Sequence, residues 1–266
     1  MQRAHRVRGK VVLITGASGG LGEQVAYAAA KRGAVVVATA RRVERLQAVQ
    51  ERCRELSGGT AYAYALDVTD RQQVKGVLQR VGTDVGPVDV LVNSAGFGLF
   101  AEALDTADQV TEDMFQVNVL GLIRLCREVG GEMRKRGRGH IINIASQAGK
   151  TATPKSAVYA GTKFAVRGYS NALRLELKQY GISVTTVNPG PIRTDFFAKA
   201  DPDGSYLAKL GRWVLDPGRV AELIVESMLT NRREINLPWP MELGARFYVL
   251  FPRLGDFLTR TLFNFK

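Results

Sequence analysis

The chain has 266 residues, 45% of them hydrophobic, with 37 Lys and Arg against 25 Asp and Glu and a formal net charge of +12. That length and apolar content suit one α/β sheet domain with a sizeable core. The two cysteines (Cys53, Cys126) and two histidines (His5, His140) lie far apart, which argues against a disulfide framework or metal centre and for a reducing compartment.

In chain order, Met1–Arg8 is charged, and no apolar run of signal-peptide type follows it. A cytoplasmic location is therefore expected. Val11–Thr15 is continuously apolar and reads as a buried strand of a parallel sheet. Gly16-Ala17-Ser18-Gly19-Gly20-Leu21-Gly22 follows, and a helix is predicted over Leu21–Arg32, stopped by Gly33. A strand, a glycine turn and a helix start make an anion site, because bare backbone and the free N–H groups of the first helical turn can meet a phosphate. The spacing differs from G-x-G-x-x-G, and a glycine turn that only packs helix on strand would read the same way.

Further strands are predicted over Ala34–Thr39, Thr60–Leu66, Val88–Val92, His140–Ala145, Ser183–Val187 and Glu234–Leu237. Further helices are predicted over Val43–Leu56, Arg71–Val81, Thr111–Arg136, Val158–Tyr180 and Pro217–Thr230. Asp70 and Asp216 stand at N-cap positions, Pro217 at a first helical position, and Gly137 and Gly181 where helices should stop. This alternation predicts an α/β, doubly wound parallel sheet of about seven strands with helices on both faces, and ligands at the carboxyl ends of the strands.

Tyr159 and Lys163 fall four apart in the Val158–Tyr180 helix and so share a face. A nearby ammonium favours the phenolate and lowers a pKa that is ordinarily about 10. The hydroxyl of Ser146 can hold a substrate oxygen beside the phenol. The three groups suit proton exchange with an alcohol or ketone, although a Tyr-x-x-x-Lys spacing alone is common on helix surfaces.

Thr15-Gly16-x-x-x-Gly20-x-Gly22, Asn93-x-Ala95-Gly96, Asn118, Ser146, Tyr159-x-x-x-Lys163 and Pro189-Gly190 occur in an order and approximate spacing that resemble the short-chain dehydrogenase/reductase family. The resemblance covers roughly residues 10–236. One departure is Ser94, where the family usually has a second Asn. The resemblance implies a Rossmann-type NAD(P)-binding domain spanning 1–266. It assigns catalysis to Asn118, Ser146, Tyr159 and Lys163. It assigns cofactor binding to Gly16, Ser18, Gly20, Leu21 and Gly22, to Asp67 and Val68 around the adenine, and to Asn93, Ala95 and Gly96. Tyr159, Lys163, Pro189, Gly190, Ile192 and Thr194 complete that set, the last two at the nicotinamide carboxamide. Residues 191–215 become the substrate loop, and dimers or tetramers through the two long helices are expected.

The second strand ends in Ala38-Thr39-Ala40-Arg41-Arg42. An enzyme selecting NAD often carries an acid there for the ribose hydroxyls. Here that position falls on Ala40, and two guanidinium forks suited to a phosphate follow. Arg41 and Arg42 therefore favour NADP(H), with NAD(H) the alternative; they would equally serve to open a solvated helix.

Of 11 Phe, 8 Tyr and 2 Trp, seven fall in residues 238–266, interrupted by Pro252, Arg246, Arg253 and Asp256. This tail is too broken to span a bilayer. Covering the substrate site, joining a subunit interface and lying on a membrane surface all remain open for it, and each weakly favours a bulky apolar substrate. The basic excess is scattered and no nucleic-acid motif accompanies it, so no nucleic-acid partner is expected. The expected function is carbonyl–alcohol interconversion with NADP(H) and no metal. The alternative is a nucleotide-sensing or scaffold protein of the same fold without turnover, which would have no need of Ser146, Tyr159 and Lys163 together.

Overall fold

The computed structural model of the chain describes residues 6–201 and 211–262. Seven parallel strands form one sheet: β1 (Val11–Thr15), β2 (Val35–Ala40), β3 (Ala61–Ala65), β4 (Val90–Asn93), β5 (Gly139–Ile144), β6 (Ile182–Pro189) and β7 (Glu234–Leu237), in the spatial order β3-β2-β1-β4-β5-β6-β7. The order reverses at β1/β4, where an open α/β sheet forms its ligand crevice.

The alternation of side chains sorts the core into two layers. Val12, Ile14, Val36, Ala38, Val90 and Val92 meet the helices α1 (Gly20–Lys31) and α2 (Val43–Ser57) on one face. Val11, Leu13, Val37 and Leu91 face the other way, towards helices α3 (Arg71–Asp84), α5 (Leu122–Arg136) and α6 (Ala157–Lys178). Both layers are apolar, which is why the strands read as continuous hydrophobic runs. Asp70 caps α3 by accepting from Gln72 N and Gln73 N. Asp216 caps α8 (Pro217–Ser227) by accepting from Arg219 N. Gly58 and Gly137 close α2 and α5 in the left-handed conformation.

One expected element is divided. The segment predicted as a single helix over Thr111–Arg136 is α4 (Asp108–Phe115), a π-helical stretch over Gln116–Gly121, and then α5. Tertiary contacts set the break. Asn118 in the π stretch holds the backbone of Phe97, and a Cβ at Gly121 would stand 2.7 Å from Val68. Such π segments are rare and cluster at functional sites.

The 191–215 segment begins with an Ile192–Leu215 bridge and the short helix α7 (Phe196–Ala200); its residues 202–210 lie outside the described residues. The tail, expected only as an aromatic stretch, forms two helices, α9 (Trp239–Leu250) and α10 (Pro252–Leu262). Its last four residues lie outside the described residues.

Candidate active site

The carboxyl ends of β1, β2, β4, β5 and β6 open into a cavity of about 820 Å³. Its floor is the turn between β1 and α1. Gly16 has φ +65°, and a Cβ there would stand 2.8 Å from Ala95 Cα; one on Gly22 would stand 2.5 Å from Gly16 O. Neither position tolerates a side chain, so the turn presents bare backbone. Thr15 Oγ1 fixes the facing loop by accepting from Ser94 N and Ala95 N, both at 3.1 Å. No side chain caps the start of α1, which leaves its first N–H groups turned to the cavity for an anion. Gly16, Ser18, Gly20, Leu21 and Gly22 all line it.

Arg41 and Arg42 stand beside this turn. Arg42 Nε donates to Ser18 Oγ at 3.2 Å and its Nη2 to Ser18 O at 3.1 Å; Arg41 lies 3.9 Å from Asp67 Oδ2. Asp67 and Val68 line the same end. Asp67 Oδ1 is engaged by Thr69, accepting from its backbone N–H at 2.9 Å and its hydroxyl at 2.7 Å. Two cations, a serine hydroxyl and a bare helix start fit the phosphates of a dinucleotide.

Ser146 follows β5, and Tyr159 and Lys163 stand on one face of α6. All three line the cavity. Ser146 Oγ accepts from Ala148 N at 3.0 Å and lies within donating distance of Pro189 O at 3.4 Å. The phenol of Tyr159 is buried. Burial drives its pKa up to about 12, against a lowering by its hydrogen bond with Ser146. The cation-driven lowering expected from the sequence does not appear: Lys163 Nζ is bonded to Ile144 O at 3.0 Å, 5.7 Å from the centre of the Tyr159 ring, and burial of the phenol sets the direction of its shift. Burial also brings Lys163 down to about 8.

Asn118 is held on three sides. Its Nδ2 donates to Phe97 O at 2.8 Å and Thr162 Oγ1 at 3.1 Å, and its Oδ1 accepts from Phe97 N at 3.0 Å. A Cβ on Gly96 would lie 3.0 Å from Asn118 Oδ1 and 3.8 Å from Lys163 Nζ, so the bare glycine leaves room between the two.

Asn93 departs from its expected place. Its side chain turns into the sheet, donating to Asn143 Oδ1 at 2.8 Å, while Asn143 donates to Ser170 Oγ at 2.9 Å. It fixes the end of β4 instead of lining the cavity. The residues after it, Ser94, Ala95 and Gly96, do line the cavity, as do Pro189, Gly190, Ile192 and Thr194.

Residues that the sequence did not single out close the other end. Phe100 and Phe196 flank Tyr159, with ring centres 6.1 and 5.6 Å away. Gly98 permits this, since a Cβ there would stand 2.8 Å from Phe196 and 2.9 Å from Tyr159. From α9 and α10 come Met241, Tyr248 and Leu258. Buried Lys150, on the turn after Ser146, donates to Glu234 Oε2 at 3.0 Å, Asn236 Oδ1 at 2.9 Å and Glu242 Oε2 at 2.5 Å. It thereby ties α9 and β7 to the Ser146 turn. The sequence signals for this wall were the 191–215 substrate loop, which holds Phe196, and the aromatic density of the tail.

A family model described as short chain dehydrogenase matches residues 10–204. The human 17-beta-hydroxysteroid dehydrogenase 13 is 30% identical over 269 residues, covering 100% of this chain and 87% of that protein. A glycine betaine reductase of Emericella nidulans is 37% identical over 223 residues, which are 83% of this chain but only 18% of that protein. Among solved structures, a short-chain dehydrogenase from Sphingobium yanoikuyae in complex with NADPH superposes with a TM-score of 0.78 at 28% identity, covering 91% of this chain and 95% of the other.

Proposed function

The chain belongs to the short-chain dehydrogenase/reductase family of oxidoreductases, and from that premise we propose that it interconverts a carbonyl with a secondary or primary alcohol on a bulky apolar substrate, using NADP(H). The observation that carries this reading is the convergence of Ser146, Tyr159 and Lys163 on one cavity floored by an uncapped glycine turn. A binder without turnover would need the turn but not those three side chains.

In this reading the turn from Gly16 to Gly22 holds the pyrophosphate, Asp67 and Val68 frame the adenine, and Ala95 and Gly96 border the ribose. Pro189, Gly190, Ile192 and Thr194 meet the nicotinamide end. Ser18, Arg41 and Arg42 hold the 2′-phosphate, and the NADPH complex of the similar Sphingobium enzyme supports that choice over NAD(H). When bound, the nicotinamide supplies the hydride to a carbonyl carbon, or accepts it in reverse.

The protein's own groups handle the oxygen and its proton. Ser146 Oγ donates to the carbonyl oxygen and fixes it against the phenol. Tyr159 then gives its proton to the developing alkoxide. Its raised pKa keeps the phenol protonated until that moment, which suits an acid. Lys163, as an ammonium, binds ribose hydroxyls and stabilises the phenolate left behind. Asn118 holds the Phe97 loop against α6. Phe100, Phe196, Met241 and Tyr248 exclude water and receive the apolar body of the substrate.

The whole chain acts in this reading as one nucleotide-binding unit, assembled into a cytoplasmic homodimer or homotetramer. Incubation with NADPH and a panel of ketones, aldehydes, quinones and steroids, followed by loss of reduced-nicotinamide absorbance, tests the proposal. Oxidation that depends on an added carbonyl supports it, and none across the panel counts against it.

A further inference from the structure

The α9–α10 hairpin is apolar on two sides. Its inner side, with Met241, Ala245, Tyr248 and Leu258, walls the cavity. Its outer side carries Trp239, Leu243 and Leu250 along one stripe of α9, then Phe251 between the helices, and Leu254 and Phe257 on α10. Among the described residues, 16 large hydrophobic side chains are exposed, and eight of them lie between Trp239 and Phe257. Trp239 is 72% exposed, Leu250 72% and Phe257 62%. Burial of the inner side alone does not account for such an outer face.

Charge selects the occupant. Arg253 and Arg260 stand four and three residues from Phe257, on the same side of α10, and Arg246 lies within the α9 stripe. The acids of the hairpin are engaged: Glu242 accepts from Lys150 and from Arg246 at 2.9 Å, and Asp256 accepts from Tyr248 Oη at 2.6 Å. The outward face is apolar, and the described hairpin carries Arg246, Arg253 and Arg260 against Glu242 and Asp256, with Glu242 already shared with Lys150, on a chain of net charge +12. A second copy would bring like charges to that face. An anionic lipid surface brings opposite ones together with acyl chains for the aromatic and aliphatic stripe.

We propose that the outer face of the α9–α10 hairpin docks on the surface of an anionic lipid bilayer, lying in the headgroup layer and setting the inner wall of the cavity next to the membrane. No helix among the described residues is long and apolar enough to cross a membrane, so the contact is peripheral. Docking itself is independent of the dehydrogenase reading. Only the corollary, that apolar substrate enters from the bilayer, rests on it.

Vesicle co-sedimentation of the full chain tests the proposal without any turnover. Binding is expected on phosphatidylcholine/phosphatidylserine vesicles and not on phosphatidylcholine alone, with a blue shift in tryptophan emission that Trp239→Phe removes. Arg253→Gln with Arg260→Gln should weaken binding about thirtyfold, at about a factor of five per arginine near an anionic surface. Leu243→Asp should abolish binding while the protein still elutes as folded wild-type assembly on gel filtration. Equal sedimentation with neutral and anionic vesicles, or none with either, overturns the proposal. So does an assembly that Leu243→Asp dissociates while vesicles bind nothing, which would make the face a contact between copies.

Discussion

Lys163 lies one helical turn beyond Tyr159, with its Nζ 5.7 Å from the centre of the phenol ring and bonded at 3.0 Å to Ile144 O on β5. The ammonium thus reaches across from α6 to the sheet and stands below the phenol, where it can serve a nucleotide ribose and the tyrosine together. Burial costs both groups: the phenol is pushed up to about 12 and the amine down to about 8.

That shift gives the proposed reduction a pH limit. The ammonium form of Lys163 is lost as pH rises through about 8, so kcat/KM for carbonyl reduction should fall roughly tenfold per pH unit above that value. The stability effect has the opposite sign. The unfolded chain holds this proton up to about 10.5, so folding gains stability from this site between about 8 and 10.5. A kcat/KM that stays flat to pH 9.5 would remove Lys163 from its role.

Arg41→Ala with Arg42→Ala should cost about 10- to 100-fold in NADPH affinity, the worth of charge-assisted bonds to one phosphate. NADH affinity should hardly change. Fluorescence titration of both nucleotides checks this, and equal losses for the two would show that the arginines do not read the 2′-phosphate.

Lys150→Met leaves Glu234 and Glu242 without the ammonium that joins them. Removing one partner of a buried charge cluster costs about 3 kcal/mol or more. The variant should therefore unfold at lower urea concentration, and limited proteolysis should cut first within the α9–α10 hairpin. Cleavage elsewhere first would show that Lys150 does not hold the hairpin.

His140 should make the fold acid-labile. Its Nδ1 accepts from Leu229 N at 2.8 Å, so its Nε2 carries the proton and donates to Thr185 Oγ1 at 2.8 Å, which in turn donates to Arg232 O. Burial brings its pKa down to about 3. The unfolded chain takes up the proton below about 6.5 and the folded chain does not, so stability falls with pH through that window. About 2 kcal/mol should be lost from this site between pH 6.5 and 5. Urea unfolding of wild type and His140→Gln at both pH values gives the difference; parallel curves would contradict it.

The sheet was readable because both of its faces are buried. Runs such as Val11-Val12-Leu13-Ile14 leave a parallel strand as the economical reading, and the capping Asp70 and Asp216 marked the helix starts. The glycine turn and the Ser146–Tyr159–Lys163 set were readable because each needs particular residue types at fixed spacing. The π stretch at Gln116–Gly121 was not, since it follows from contacts of Asn118 and Gly121 with distant loops. Asn93 misled because a polar residue at a strand end serves an inward bond as well as a cavity. The hairpin walls were hidden because aromatic density does not say which side of a helix faces a cavity.

The most direct measurement is single-turnover NADPH oxidation by wild type and Tyr159→Phe with one reactive carbonyl, alongside NADPH binding by both. The variant is expected to bind NADPH within about threefold of wild type, the worth of one neutral hydrogen bond at most, and to turn over about 10²- to 10⁴-fold more slowly. Wild-type oxidation rates in the variant would show that the phenol at Tyr159 does not deliver the proton.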